Sequence, residues 1–203
     1  MLRVLFQGDS VTDCGRDRED FYGLGDGYAF FVSSLYRAMN PGKAVEFINR
    51  GISGNRVRDL RERWQKDAIA LKPDILSIMI GINDTWRRYD NNDMTSAEKY
   101  YEDYRYILSE TLKNKPDTRI ILMEPYVMPK PADRKEWRVD LDPKIQMVRQ
   151  LSQEFKTDFI PLDGLFAQAY AKADPAIFSS DGVHPSPVGH AFIAQKWLET
   201  ANI

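Results

Sequence analysis

Apolar runs of strand length alternate with helical patterns from one end of the chain to the other, and this alternation restricts the fold more than any other feature. The runs are Leu2 to Phe6, Val45 to Ile48, Ile75 to Ile80, Arg119 to Met123 and Phe159 to Leu162. Between the first two, Tyr28, Phe31, Val32, Leu35 and Tyr36 recur at helical spacing until Asn40-Pro41-Gly42 stops the pattern. Arg56 to Leu71 reads as a helix with Leu60, Trp64 and Ile69 facing inward. Thr95 and Glu98 have the spacing of a capping box for a long helix through Leu112. Asp142-Pro143 reads as an N-cap with proline in the first turn, opening a helix to Phe155, and Ser186-Pro187 opens the last helix, which carries Phe192, Ile193 and Trp197. Short strands joined by helices predict an α/β, three-layer α/β/α fold: a parallel five-stranded sheet in a flavodoxin-like order with helices on both faces. There are no repeats, low-complexity tracts or linkers, so residues 1–203 are expected to form a single domain.

Composition narrows the partners. The formal net charge is -2, from 28 basic and 30 acidic residues that are well mixed along the chain. No basic surplus points to nucleic acid or to an anionic membrane. One cysteine, Cys14, allows no internal disulfide. No apolar stretch reaches bilayer length, and the N-terminus is too short in apolar residues for a signal peptide, so a soluble, cytoplasmic protein is expected.

In open parallel sheets, ligands bind beyond the carboxyl ends of the strands. Three predicted strand ends carry polar residues flanked by glycine: Gly8-Asp9-Ser10, Gly51-Ile52-Ser53-Gly54-Asn55 and Gly81-Ile82-Asn83-Asp84. A fourth cluster, Asp181-Gly182-Val183-His184-Pro185, precedes the final helix. In this order, running from residue 8 to residue 184, the four clusters resemble the motifs of the SGNH/GDSL hydrolase superfamily. The stretches from Phe6 to Arg16, Gly51 to Asn55 and Ile78 to Asp84 are similar to the branch that contains bacterial acetylxylan esterases. The resemblance implies the SGNH hydrolase fold and a serine esterase that removes small acyl groups, acetyl above all, from carbohydrates such as xylo-oligosaccharides.

The residue chemistry agrees with that expectation. A serine hydroxyl such as Ser10 becomes a useful nucleophile only when a base takes its proton. The chain has two histidines. His184 lies in a motif and can serve as that base, while His190 falls inside the last helical pattern and reads as structural. Asp181, three residues before His184, can hold the other ring nitrogen. The order Ser, Asp, His is also that of the α/β-hydrolases, but no Gly-x-Ser-x-Gly elbow is present. The resemblance further implies an oxyanion hole made by the backbone N–H groups of Ser10 and Gly54 and the side-chain amide of Asn83. No metal or organic cofactor is called for.

Asp9, Trp86 and Tyr126 are candidates for the substrate cleft, and Asp9 and Asp84 can also hold backbone groups behind the site. Trp86 either stacks on a sugar or packs its loop against the core. Phe21, Tyr22 and Tyr28 fit core packing better than a cleft. Met128 to Trp137, rich in proline and charge, reads as a surface loop that can wall the cleft or mediate contacts in a homo-oligomer. Glu124-Pro125 reads as a structural turn, and Cys14 as a small buried residue. Three other functions remain open on sequence: a thioesterase or broad acylesterase on the same triad, a metal-dependent phosphoesterase drawing ligands from Asp9, Asp13, Asn83, Asp84, Asp181 and His184, and a non-catalytic binding module.

Overall fold

The computed structural model describes residues 1–203. Five strands, β1 (Leu2–Gly8), β2 (Val45–Asn49), β3 (Ile75–Met79), β4 (Arg119–Met123) and β5 (Asp158–Ile160), form one parallel sheet in the order β2-β1-β3-β4-β5. Eight α-helices connect and cover them: α1 (Ser10–Asp13), α2 (Tyr28–Met39), α3 (Val57–Asp67), α4 (Ile82–Asp90), α5 (Ala97–Asn114), α6 (Arg138–Phe155), α7 (Leu162–Tyr170) and α8 (Pro187–Ala201). This is the three-layer, flavodoxin-like arrangement expected from the alternating pattern. No helix is long and apolar enough to cross a membrane.

The period-2 alternation of each strand sends its side chains into two separate cores. Val4 and Phe6 of β1 and Ile121 and Met123 of β4 enter one, packed by Val32 and Tyr36 of α2 and Ile193 and Trp197 of α8. Leu5, Ile120 and Leu122 enter the other, against Leu60 and Trp64 of α3, Tyr104 and Ile107 of α5, and Val148 and Leu151 of α6. The indoles at the centres of these two cores keep their N–H satisfied: Trp197 donates to Ser77 Oγ at 2.9 Å and Trp64 to Thr111 Oγ1 at 3.0 Å.

Several local expectations change in the structure. The helix expected over Arg56–Leu71 is α3 followed by a separate 3₁₀ turn at Ile69–Leu71, and Ile69 is only half-buried. In α2 the inward stripe is Tyr28, Ala29, Val32 and Tyr36, while Leu35 is exposed. The cap of α5 is Ser96 rather than Thr95: its hydroxyl accepts from Lys99 N, and Thr95 is buried. Helix α6 begins at Arg138, so Pro143 lies inside it and Asp142 is not its cap. A 3₁₀ turn over Ala132–Trp137 feeds α6 directly, and the missing proline N–H falls in the second turn, where one lost bond does not end the helix. Helices α4 and α7 follow β3 and β5 almost at once and were not legible as helices. The cap at Ser186 is as expected, with its hydroxyl accepting from Gly189 N at 3.2 Å and Pro187 in the first turn.

The chain turns from β1 to β2 on one side and then crosses to β3 on the other, which places the topological switch between β1 and β3. These strands end in register, Gly8 beside Met79. Ser10 follows one end and Asn83 the other.

Candidate active site

At the end of β1 the chain must leave the sheet within two residues. Gly8 permits this because a Cβ there would lie 2.3 Å from Thr12 Oγ1 and 2.4 Å from Met79 O. Asp9 then caps α1 by accepting from Val11 N at 3.1 Å, which leaves Ser10 as the first helical residue, half-buried at the edge of the sheet. The opposing group arrives from the far end of the chain. Ser10 Oγ lies 2.9 Å from His184 Nε2, and His184 Nδ1 lies 2.7 Å from Asp181 Oδ2. Hydroxyl, imidazole and carboxylate therefore stand in line across 174 residues of sequence.

Asp181 is held firmly. Its Oδ1 accepts from Val183 N at 2.9 Å, His184 N at 2.8 Å and Ser179 Oγ at 3.1 Å. Burial opposes its charge, but the His184 ring and the N–H groups of Val183 and His184 hold the carboxyl well below the usual range. An ionised Asp181 accepts a hydrogen bond from Nδ1–H, which keeps the proton on that nitrogen and leaves Nε2 free to accept from Ser10, the tautomer a general base needs. The hydrogen bond that His184 donates to Asp181 raises the basicity of His184 above the ordinary imidazole value against partial desolvation, and the charges of Asp181 and Asp9 act in the same direction.

The loop that carries Gly54 is bound to the same place. Ile52 N donates to Gly8 O at 3.1 Å, and Ser53 N and Oγ both donate to Asp13 Oδ2, at 2.9 and 3.0 Å. Gly54 itself is exposed, has φ +84°, and offers open space where a side chain would stand. Asn83 Nδ2 donates to Asn55 O at 3.1 Å, so one amide hydrogen ties α4 to this loop and the second remains unused. Behind it, Asp84 accepts from Val57 N at 3.1 Å, fully buried and pushed up to about 7 by desolvation.

Two expected cleft residues lie elsewhere. Asp9 is 2% exposed and, pushed up to about 7 by burial, sits beneath the site rather than in an open cleft. Tyr126 is 3% exposed and donates its hydroxyl to Val183 O at 2.8 Å; its ring packs on Phe166. Both line a small apolar hollow with Val11, Ile82 and Val183. Trp86 is half-buried, its ring 5.9 Å from that of His184 and 5.1 Å from Trp137. Nor is Met128–Trp137 simply a surface loop, because both of its ends are buried, Met128 in the sheet core and Trp137 beside Trp86. Arg134, with no motif to mark it, covers Trp137 at 4.1 Å and donates to Asp181 O at 3.1 Å. Asp13 was read only as a metal-ligand candidate, yet it anchors the Gly54 loop. No three His, Cys, Asp or Glu side chains gather into a ligating cluster. His190 is buried, accepting from Tyr28 N at 3.1 Å and lying 3.3 Å from Cys14 Sγ. Glu124 pairs with Arg149 and accepts from Asp163 N.

Fold and site together define a serine hydrolase built on a flavodoxin-like sheet. Comparison with known proteins narrows this. The model of the GDSL-like lipase/acylhydrolase family matches residues 6–192. An acetylxylan esterase of Geobacillus stearothermophilus is 40% identical over 202 residues, covering 97% of this chain and 92% of its own. A crystal structure of a GDSL-like lipase from Parabacteroides merdae superposes with a TM-score of 0.93 at 38% identity, covering 99% of this chain and 95% of the other. The crystal structure of Axe2, an acetylxylan esterase from Geobacillus stearothermophilus, gives a TM-score of 0.88 at 36% identity, with 100% and 94% covered. Catalytic mutants of Axe2 have been solved at a serine, at a histidine and at an aspartate three residues before that histidine. The chain belongs to the GDSL-like lipase/acylhydrolase family and is a serine ester hydrolase.

Proposed function

We propose that the chain, working as one domain over residues 1–203, hydrolyses acetyl esters of small carbohydrates such as acetylated xylo-oligosaccharides, with Ser10 as nucleophile, His184 as general base and acid, and Asp181 as the group that orients and charges His184. Ser10 Oγ attacks the ester carbonyl while His184 Nε2 takes its proton. The tetrahedral oxyanion is met by the backbone N–H groups of Ser10 and Gly54 and by the free amide hydrogen of Asn83. His184 returns the proton to the departing sugar hydroxyl, and water repeats the sequence on the acetyl-enzyme. Trp86, partly exposed beside His184, is the aromatic side chain placed to contact the sugar.

The observation that carries this reading is the Ser10–His184–Asp181 alignment at 2.9 and 2.7 Å. The catalytic serine, histidine and aspartate of Axe2, with the same spacing between the last two, support it. The acetyl and xylo-oligosaccharide preference rests on the similarity to the acetylxylan esterases.

The test is a substrate panel: acetylated xylobiose and acetylated monosaccharides against acyl-CoA and longer-chain esters, with Ser10→Ala as control. Acetyl sugars turned over best, and no turnover by Ser10→Ala, are expected. A preference for acyl-CoA or long-chain esters would move the assignment to a thioesterase or a broad acylesterase, and a fully active Ser10→Ala would remove the nucleophile.

A further inference from the structure

The turn that carries Asp181 and His184 belongs to no helix and no strand of the sheet; its only ladder contact is an isolated bridge between Ser179 and Pro185. Inside the turn, the Asp181 carboxylate takes the N–H groups of Val183 and His184. The three carbonyls of the same stretch point the other way, and each meets a donor from a single segment. Asp181 O accepts from Arg134 Nε at 3.1 Å, Gly182 O from Met128 N at 2.9 Å, and Val183 O from Tyr126 Oη at 2.8 Å. The fit is close: Gly182 has φ +82°, and a Cβ on it would stand 2.5 Å from Lys130 O and 2.8 Å from Met128 O.

We propose that Tyr126–Arg134 is a clamp that holds the Asp181–His184 turn in register with Ser10, and that Tyr126 and Arg134 are positioning residues for the hydrolysis. The inference rests on the triad reading above. A turn fixed only by its own hydrogen bonds leaves His184 free to drift from Ser10, and a small displacement of a base from its nucleophile is enough to depress turnover. Three donors of three kinds, a phenol, a backbone amide and a guanidinium, pin consecutive carbonyls and remove that freedom.

Arg134 does more than donate. Its guanidinium lies over Trp137 at 4.1 Å and over Trp86 at 5.4 Å, and Trp86 flanks the His184 ring. One planar cation therefore fixes both the triad turn and the aromatic wall beside it. Lysine in its place keeps a charged donor for Asp181 O but cannot lie flat against two indoles. Loss of the donor should appear in kcat, and loss of the stacking in KM for a sugar ester.

The experiment measures kcat and KM for p-nitrophenyl acetate and for acetylated xylobiose in wild type, Tyr126→Phe, Arg134→Ala and Arg134→Lys, with thermal unfolding of each. Tyr126→Phe removes one oxygen and keeps the ring, and is expected to lower kcat on both esters about tenfold with KM unchanged. Arg134→Ala is expected to lower kcat about as much and to raise KM for acetylated xylobiose alone, whereas Arg134→Lys restores kcat and leaves that KM raised. Wild-type kcat in Tyr126→Phe and Arg134→Ala overturns the clamp, as does an Arg134→Ala loss that Arg134→Lys does not restore. If Arg134→Ala fails to fold, Tyr126→Phe and Arg134→Lys decide alone. Activity in Ser10→Ala would signal failure of the triad reading instead, whereas an inactive Ser10→Ala beside unaffected clamp variants would sink only the clamp.

Discussion

Replacing Asp181 by asparagine isolates what the carboxylate does for His184. The side chain makes four hydrogen bonds: three at Oδ1, from Val183 N, His184 N and Ser179 Oγ, and one at Oδ2, from His184 Nδ1. The asparagine carbonyl can keep all three at Oδ1, so the turn and the fold should survive. At the second position it presents an NH₂ donor 2.7 Å from Nδ1. The imidazole must then accept there, its proton moves to Nε2, and the ring faces Ser10 as a donor instead of an acceptor. The charge that stabilises the imidazolium is lost in the same step. A wrong tautomer of this kind lowers turnover by about 10⁴-fold in a protease triad, close to 5.5 kcal/mol in the barrier. His184→Ala removes the base outright and should fall at least as far. The pH profile supplies an independent check. Asp181 is the largest influence raising His184 above its ordinary basicity, and only the neutral ring can act as base. In the wild type, kcat/KM should fall as pH drops through a value above that of free imidazole, and in Asp181→Asn the residual acid limb should move to lower pH. The assay is initial-rate hydrolysis of p-nitrophenyl acetate between about pH 5 and 9, with unfolding curves for both proteins. Activity within about tenfold of wild type, or an acid limb that stays in place, would refute the reasoning.

Asn83→Ala should lower kcat by about 10²–10³ with little change in KM, since the amide is needed where the oxyanion forms; an effect confined to KM would move Asn83 out of the hole. Burial of His190 pulls it down to about 4. It thus contributes stability that is complete above the unfolded value of 6.5 and is lost as pH falls toward 4. Chemical denaturation should show the gap between wild type and His190→Gln closing by about 3 kcal/mol between those limits, and a constant gap would contradict the assignment. Trp197→Ala empties the centre of one core, where the indole packs at a tilt against Phe6 with ring centroids 5.4 Å apart, and should destabilise by about 3–5 kcal/mol; a loss under about 1 kcal/mol would mean that the site collapses to fill the space.

The sheet was legible because its strands are apolar and short, and parallel strands buried on both faces need that composition. Three motifs of the candidate site were legible because they follow strand ends, and the fourth, Asp181 to His184, because it stands just before the last helix. What escaped has identifiable causes. Helix α4 starts three residues after the end of β3 with Asn83 and Asp84 in its first turn, so residues that read as loop chemistry are also helical. Pro143 imitates a helix start because proline favours a first turn, yet α6 had already begun at Arg138. Tyr126 looked like a cleft residue because it flanks the charged loop over Met128–Trp137, but its hydroxyl turns inward to Val183 O. The interlock of Arg134 with Asp181 spans 47 residues and rests on a backbone carbonyl, which no side-chain pattern announces.

The central claim is that Ser10 is the atom donor that becomes acylated, made reactive by His184. A serine-directed phosphonate followed by intact-protein and peptide mass spectrometry tests it most directly. One adduct per chain is predicted, on the peptide that contains Ser10, formed in step with loss of activity and absent from Ser10→Ala. Full inactivation with the label on another residue, or undiminished labelling of Ser10→Ala, would contradict it.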